Sequence, residues 1–220
     1  IIIKKSLITI VNNKKDIYMI EVEIKTKVSD PDEIIKQFKN KKGVYKFSFI
    51  HEDTYFNMPN GLKDFKETDE ALRIRKSIEY NKINKKAEQK INYFLTYKGK
   101  KIDKLTKTRK ELETKIEDGD KVKEILKTLG FREIFTVRKE RDLYEFKFKS
   151  YIIEVLLDYI PILKEHFIEV EIMSESSDKI EIYTNMLFDF LSLFNIKKEE
   201  SIKKSYLELI TDRFRSKIIR

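Results

Sequence analysis

At 220 residues and 40% hydrophobic content the chain can bury one domain-sized core, yet 39% of it is charged, against roughly 25% in an ordinary globular domain. With no cysteine and only His51 and His166, disulfides, thiolate nucleophiles and a multi-histidine zinc site are excluded, so any metal must be held mostly by carboxylates. The formal net charge of +9, from 47 Lys and Arg against 38 Asp and Glu, favours anionic partners.

Residues 1–18 open on Ile1, and Met19 directly precedes the first well-patterned strand. They are read as an N-terminal extension ahead of a natural start at Met19. Lys4-Lys5 followed by Leu7-Ile8 has the look of a short signal sequence, but Asn12-Asn13-Lys14-Lys15 breaks the apolar stretch. No apolar run is long enough to span a bilayer, and a cytoplasmic location without membrane partners is expected.

Tyr18–Lys27 alternates strictly, with Ile20, Val22 and Ile24 on one face and Glu21, Glu23 and Lys25 on the other. Asp30-Pro31-Asp32-Glu33 then reads as a helix cap, an N1 proline and a capping-box glutamate, with Ile34, Ile35 and Phe38 as the apolar stripe and Gly43 as the end. Strand-like runs follow at 45–57, 70–80, 90–98 and 107–117. The connections 57–70 and 81–90 carry turn chemistry and charge and are expected in solvent. A second helix is predicted from Asp120 to Leu129, with Val122, Ile125, Leu126 and Leu129 inward and Gly130 as the stop. Strands at 133–147, 151–158 and 165–173 complete the set, giving two strand–helix–strands halves.

A third helix begins near Ser177-Asp178 and carries Tyr183, Phe188, Phe190 and Phe194; it is expected on the barrel, its breadth also allowing a homodimer interface. The last starts near Ser201 and ends in a basic tail, 211–220. The fold class expected is α+β: about eight strands closed into an antiparallel β-barrel, since closure removes exposed edges, with flanking helices.

Charges recur at spacing two, and residues i and i+2 share a sheet face. Glu21, Glu23 and Lys25 share one, as do Arg73 and Arg75, Arg109, Glu111 and Glu113, Lys139 and Arg141, and Glu169 and Glu171; Lys98 and Asp158 extend the set. The opposite face of each strand is apolar, so if it packs on the helices the charged rows point into the barrel. Uncompensated buried ions cost several kcal/mol each, so such an interior must be wet or filled by ligand. Carboxylates on some strands and cations on others suit a metal–polyphosphate ligand. His51 stands two residues before Asp53 and shares its face; a packed or surface role is expected for it. No RNA-recognition motif or interleaved surface aromatics appear, so nucleic acid is not an expected partner.

The chain resembles the CYTH superfamily, which unites class IV adenylyl cyclases with thiamine triphosphatases and inorganic triphosphatases. Glu21-Val22-Glu23-Ile24-Lys25 is similar to that family's ExExK motif, and the order of later segments adds specificity: Asp53-Thr54-Tyr55-Phe56, Leu72-Arg73-Ile74-Arg75, Thr96-Tyr97-Lys98-Gly99, Arg109-Lys110-Glu111-Leu112-Glu113, Val137-Arg138-Lys139-Glu140-Arg141, Leu157-Asp158 and Phe167-Ile168-Glu169-Val170-Glu171. The resemblance spans 19–210, and Thr128-Leu129-Gly130-Phe131, the run from Phe135 to Arg141 and Ser205-Tyr206 place it nearest the class IV adenylyl cyclase branch. It implies a triphosphate tunnel with Glu21, Glu23, Asp158 and Glu169 on Mg2+ or Mn2+, and Lys25, Arg73, Arg75, Lys98, Lys139 and Arg141 on the triphosphate. Glu171 or Glu113 would accept the proton. The implied substrate is ATP, giving cyclic AMP and pyrophosphate. The alternatives are hydrolysis of inorganic or thiamine triphosphate and a non-catalytic polyphosphate-binding role. The loops 57–70 and 81–90 carry no obvious base-binding feature.

Overall fold

A computed structural model describes residues 20–84, 86–101, 109–174 and 176–218. The extension read at 1–18 lies outside them. Eight strands form one antiparallel sheet: β1 (Ile20–Val28), β2 (Val44–Asn57), β3 (Ala71–Tyr80), β4 (Lys90–Lys101), β5 (Arg109–Ile116), β6 (Arg132–Phe148), β7 (Tyr151–Ile160) and β8 (Glu165–Ser174). Their order in the sheet is β1-β8-β7-β6-β2-β3-β4-β5. Two meanders, β2–β5 and β6–β8, therefore join along the long β2/β6 ladder. Helix α1 (Pro31–Asn40) carries the chain from β1 into the first meander, and α2 (Gly119–Thr128) carries it from β5 into the second.

The sheet curls but does not close. The edge strands β1 and β5 share no hydrogen-bonded ladder among the described residues, which corrects the expectation of a closed barrel. A ladder needs backbones about 4.8 Å apart. Here the facing interior rows carry Glu21 and Glu23 on one edge and Glu111 and Glu113 on the other, and opposed like charges disfavour that approach. Side chains span the seam instead, with Glu21 in electrostatic range of both Glu111 and Lys98.

Aspartate caps start the first two helices, the predicted Asp30 for α1 and Asp118, two residues before the expected start at Asp120, for α2. Glu33 N donates to Asp30 Oδ1 at 2.9 Å to start α1, and Lys121 N donates to Asp118 Oδ1 at 2.9 Å to start α2. Gly130 stops α2 in the left-handed region, φ 88°. At the end of α1 it is Lys42 that takes the positive φ, 63°, while Gly43 leaves room for the Phe146 ring, into which a Cβ would project.

Helices α1 and α3 (Ile180–Ser192) cover the outer face of β1, β8, β7 and β6 with one core of Val22, Ile24, Phe38, Phe146, Val155, Val170, Leu187 and Phe190 among others. Phe38 meets Tyr144, Phe146 and Phe194 edge-on, with ring centroids 4.9, 5.4 and 5.3 Å away. Tyr183, Phe190 and Phe194 are buried in this core and Phe188 packs against it, so the aromatic face of α3 is used within the chain. Helix α2 differs from expectation. Val122 and Leu126 are half-buried, but Ile125 and Leu129 are 50% and 63% exposed. A ten-residue helix seated so closely that Gly119 abuts the Tyr93 ring covers only a narrow strip of sheet, narrower than its own apolar stripe.

The last helix, α4 (Tyr206–Ile218), continues through Arg213 and Arg215, residues expected in a basic tail. Among the described residues no helix is long and apolar enough to cross a membrane.

Candidate active site

Cross-strand register brings the charged rows onto one concave face. Glu23 pairs with Glu171 and Lys25 with Glu169 on β8; Asp158 pairs with Arg141, His51 with Lys139, Asp53 with Arg75, and Lys98 with Glu111. Directly opposed residues point to the same side of a sheet. The curl turns that side inward around a cavity of about 970 Å³, lined by Glu21, Glu23, Arg73, Arg75, Lys98, Glu111, Glu113, Lys139, Arg141, Glu169 and Glu171. Every predicted site residue except Lys25 and Asp158 lines it.

Three charge centres organise the wall. Asp53 is the first: Arg75 donates to it from Nε at 2.6 Å and Nη2 at 2.9 Å, Arg73 Nη1 lies at 3.3 Å and Lys139 Nζ at 3.6 Å. Burial works against its ionisation, but Arg75, Arg73 and Lys139 outweigh burial and hold its carboxyl well below the usual range. Sequence reasoning assigned Asp53 no role. The available signal was its place two residues from His51 and Tyr55, on a row facing Arg73 and Arg75.

Arg141 is the second centre. It donates to both oxygens of Asp158, at 2.9 and 2.6 Å, and to Glu169 Oε2 at 2.7 Å. Tyr206 OH donates to Asp158 Oδ2 at 2.7 Å. Asp158 and Glu169, implied as metal ligands by resemblance, thus sit in an ion cluster around a buried guanidinium. The third centre is on β4 and β5, where Lys98 Nζ meets Glu111 Oε1 at 2.5 Å and Thr96 Oγ1 donates to Glu113 Oε2 at 2.7 Å. Arg73 Nη2 lies 3.4 Å from Glu113.

Glu21, Glu23 and Glu171 form a separate group, with one carboxylate oxygen of each within 4.8 Å of the others. Burial, then the Glu171 and Glu111 charges, push the Glu21 carboxyl well above its usual range. Three convergent carboxylates with no nitrogen or sulfur donor suit a hard divalent cation such as Mg2+ or Mn2+, which would relieve their mutual repulsion. The trio includes Glu171, read from sequence as a proton acceptor, rather than Asp158 or Glu169.

Lys25 lies fully buried at the other end of the β1 row. Its Nζ donates to the Lys204 carbonyl at 2.5 Å and stands 4.0 Å from the centre of the Tyr206 ring. The segment ahead of α4 is held there by Ile202 N donating to the Lys25 carbonyl at 2.7 Å. His51 is buried inside the wall; burial, then Arg75, Arg141 and Lys139, hold its pKa well below the usual imidazole value, and its Nδ1 finds no hydrogen-bond partner among the described residues.

The connection 57–70 is exposed at 60–63 and 66–67, as expected, and it also contributes to the cavity wall. Asn57 Oδ1 accepts from Met58 N at 2.9 Å and Phe65 N at 3.0 Å, and its Nδ2 donates to Asp64 at 3.0 Å. This turns Phe65, Lys66 and Asp69 onto the lining.

Comparison with known proteins gives the same assignment from another direction. A protein of Methanocaldococcus jannaschii named putative adenylate cyclase is 43% identical over 197 residues, 87% of this chain and 98% of its own length. A solved structure from Pyrococcus horikoshii OT3 superposes with a TM-score of 0.74 at 36% identity, over 88% of this chain and 99% of that one. A Hippeastrum protein, described as a putative adenylyl cyclase with a dominant triphosphatase activity, shares the fold with a TM-score of 0.58 at 17% identity, over 87% of this chain and 95% of its own. The CYTH domain model matches residues 19–206, from the first strand to Tyr206. The chain belongs to the CYTH domain family.

Proposed function

We propose that this protein is a divalent-metal-dependent enzyme that converts ATP to cyclic AMP and pyrophosphate. The observation that carries the reading is the pairing, in one cavity, of the Glu21–Glu23–Glu171 trio with a cationic wall of Arg73, Arg75, Lys98, Lys139 and Arg141. The 43% identity to a protein named putative adenylate cyclase supports the cyclase among the family's reactions.

Glu21, Glu23 and Glu171 would hold a divalent cation, which would offset phosphate charge. The chain's own residues supply position and field. Arg73 and Arg75, fixed by Asp53, and Arg141, fixed by Asp158 and Glu169, present guanidinium groups that cost little reorganisation when the anion arrives. In the reaction the ribose 3′ oxygen bonds to the α-phosphorus, the bond from that phosphorus to the pyrophosphate oxygen breaks, and the hydroxyl proton passes to a base. Of the two carboxylates considered for that role, Glu171 stands in the trio. Glu113, held by Thr96 and Arg73, is the other.

The fold alone does not separate cyclisation from hydrolysis, as the Hippeastrum protein illustrates. The test is a product assay with Mg2+ or Mn2+ on ATP, inorganic triphosphate and thiamine triphosphate. Cyclic AMP with equimolar pyrophosphate is expected from ATP. Orthophosphate without cyclic nucleotide would replace the cyclase reading with hydrolysis, and no product from any substrate would overturn the enzyme.

A further inference from the structure

The interior face of the sheet is charged along most of its length, but apolar side chains reach the cavity at its margins, Ile134 on β6 and Ile152 and Met173 on β7 and β8. Met173 stands directly opposite Glu21 across the β1/β8 ladder and two residues beyond Glu171 on the same face. Ile152 stands two residues before Glu154, which pairs with Glu171, so it shares that face too. Both side chains line the cavity, yet they are 37% and 57% exposed and belong to none of the buried clusters. Tyr151 backs the rim, its ring edge-on to Tyr183 at 5.6 Å.

We propose that Ile152 and Met173 form a subsite for the nucleoside base of the substrate, beside the carboxylate trio. The inference rests on the triphosphate reading above and adds where the organic half of the substrate lies. Three observations support it. A cavity of about 970 Å³ is at the upper end of what encloses a drug-sized ligand, more than a bare triphosphate needs. Along β1 the charged row ends in the opposite direction at Lys25, four residues or about 13 Å from Glu21, which lies under Tyr206 and the segment ahead of α4. An unbranched thioether beside a branched aliphatic chain makes an adaptable surface for a flat ring, and methionine sulfur packs favourably against aromatic edges.

The arrangement has a chemical consequence. The trio lies between the cationic wall and the apolar rim, so the carboxylates stand at the junction of triphosphate and nucleoside. That junction is the α-phosphorus, the atom attacked in cyclisation.

The test is calorimetric binding in the presence of Mg2+, comparing inorganic triphosphate with the α,β-methylene analogue of ATP, which cannot release pyrophosphate. The variants are Ile152→Ser with Met173→Ser, and Phe65→Ala as a second apolar lining residue, on the connection 57–70. The wild type is expected to bind the analogue more tightly than inorganic triphosphate. The double variant should weaken the analogue about tenfold and change inorganic triphosphate less than twofold. Equal losses for both ligands, no loss for either, or a loss reproduced by Phe65→Ala would each overturn the rim subsite while leaving triphosphate binding intact. A wild type that binds neither ligand would instead remove the triphosphate reading, and this inference with it.

Discussion

Glu23 of β1 and Glu171 of β8 stand directly opposite one another across an antiparallel ladder, and Glu21 brings a third carboxylate into the same group. Opposed like charges on neighbouring strands destabilise a sheet. The fold bears this cost where a cation would cancel it. Glu171→Gln should therefore leave thermal stability in chelator equal to or above that of the wild type. Millimolar Mg2+ or Mn2+ should raise the wild-type midpoint by at least 2–4 °C, the shift that about 1 kcal/mol produces in a domain of this size, and should not move the variant. A wild-type midpoint indifferent to both ions would rule out the trio as a metal site.

Lys139 gives the cavity a pH dependence. Its Nζ lies 3.6 Å from Asp53 and 5.4 Å from the centre of the Tyr206 ring. Burial, then the Arg141 charge, bring its pKa down to about 7, with Asp53 resisting. The unfolded chain keeps an ordinary lysine value near ~10.4. Between those values the unfolded state holds more protons, so this residue makes stability rise as pH climbs from about 7 towards 10, and its penalty is fully present below 7. A bound polyanion favours the charged form. Triphosphate binding at pH 8 should accordingly take up close to one proton through Lys139, and little at pH 6. Calorimetry in buffers of different ionisation heat reads this directly, and Lys139→Met should abolish the difference between the two pH values. Identical proton uptake in wild type and variant would rule out this account.

Much of this arrangement was legible in the sequence, for a physical reason. A strand's period of two forces Glu21, Glu23 and Lys25, or Lys139 and Arg141, onto one face wherever the strand lies, and apolar residues between them decide which face meets the helices. Pairing between strands is not contained in that period. That Glu171 meets Glu23, while Asp158 meets Arg141, depends on register, and register moved Glu171 into the carboxylate trio and placed Asp158 and Glu169 on a guanidinium. Composition fell short in two places. The polar connection 57–70, exposed at 60–63 and 66–67, is also pinned onto the cavity wall by side chains such as Asn57 and Asp64, and the apolar stripe of α2 is wider than the strip of sheet beneath it, leaving Ile125 and Leu129 outside.

Gly43 tests the packing that holds β1 and β8 in place. Its backbone lies against the Phe146 ring, and Phe146 in turn packs on Phe38, Phe190 and Phe194. Gly43→Ala must displace that ring from an aromatic cluster with little free space, and overpacking of this kind costs about 1–3 kcal/mol. The loss should appear in urea unfolding with an unchanged slope. A neutral substitution would show that the ring has room to shift.

Asp158 separates two accounts of the inner wall. As a partner of Arg141 and Tyr206 its role is structural and independent of metal; as a metal ligand its loss would register only when the ion is present. Removing one member of a buried ion cluster leaves an uncompensated charge and costs about 3–5 kcal/mol. Asp158→Asn should therefore destabilise the protein strongly and equally in chelator and in Mg2+, and should leave the metal-induced rise in midpoint intact. Tyr206→Phe removes one hydrogen bond to a charged acceptor, worth about 1.5–3 kcal/mol. In the Asp158→Asn background that change should cost less than it does alone, because the two side chains touch. Additive losses would show that the hydroxyl is not held by Asp158. A stability loss confined to the metal-loaded protein would return Asp158 to the metal site and leave Glu169 as the carboxylate that neutralises Arg141.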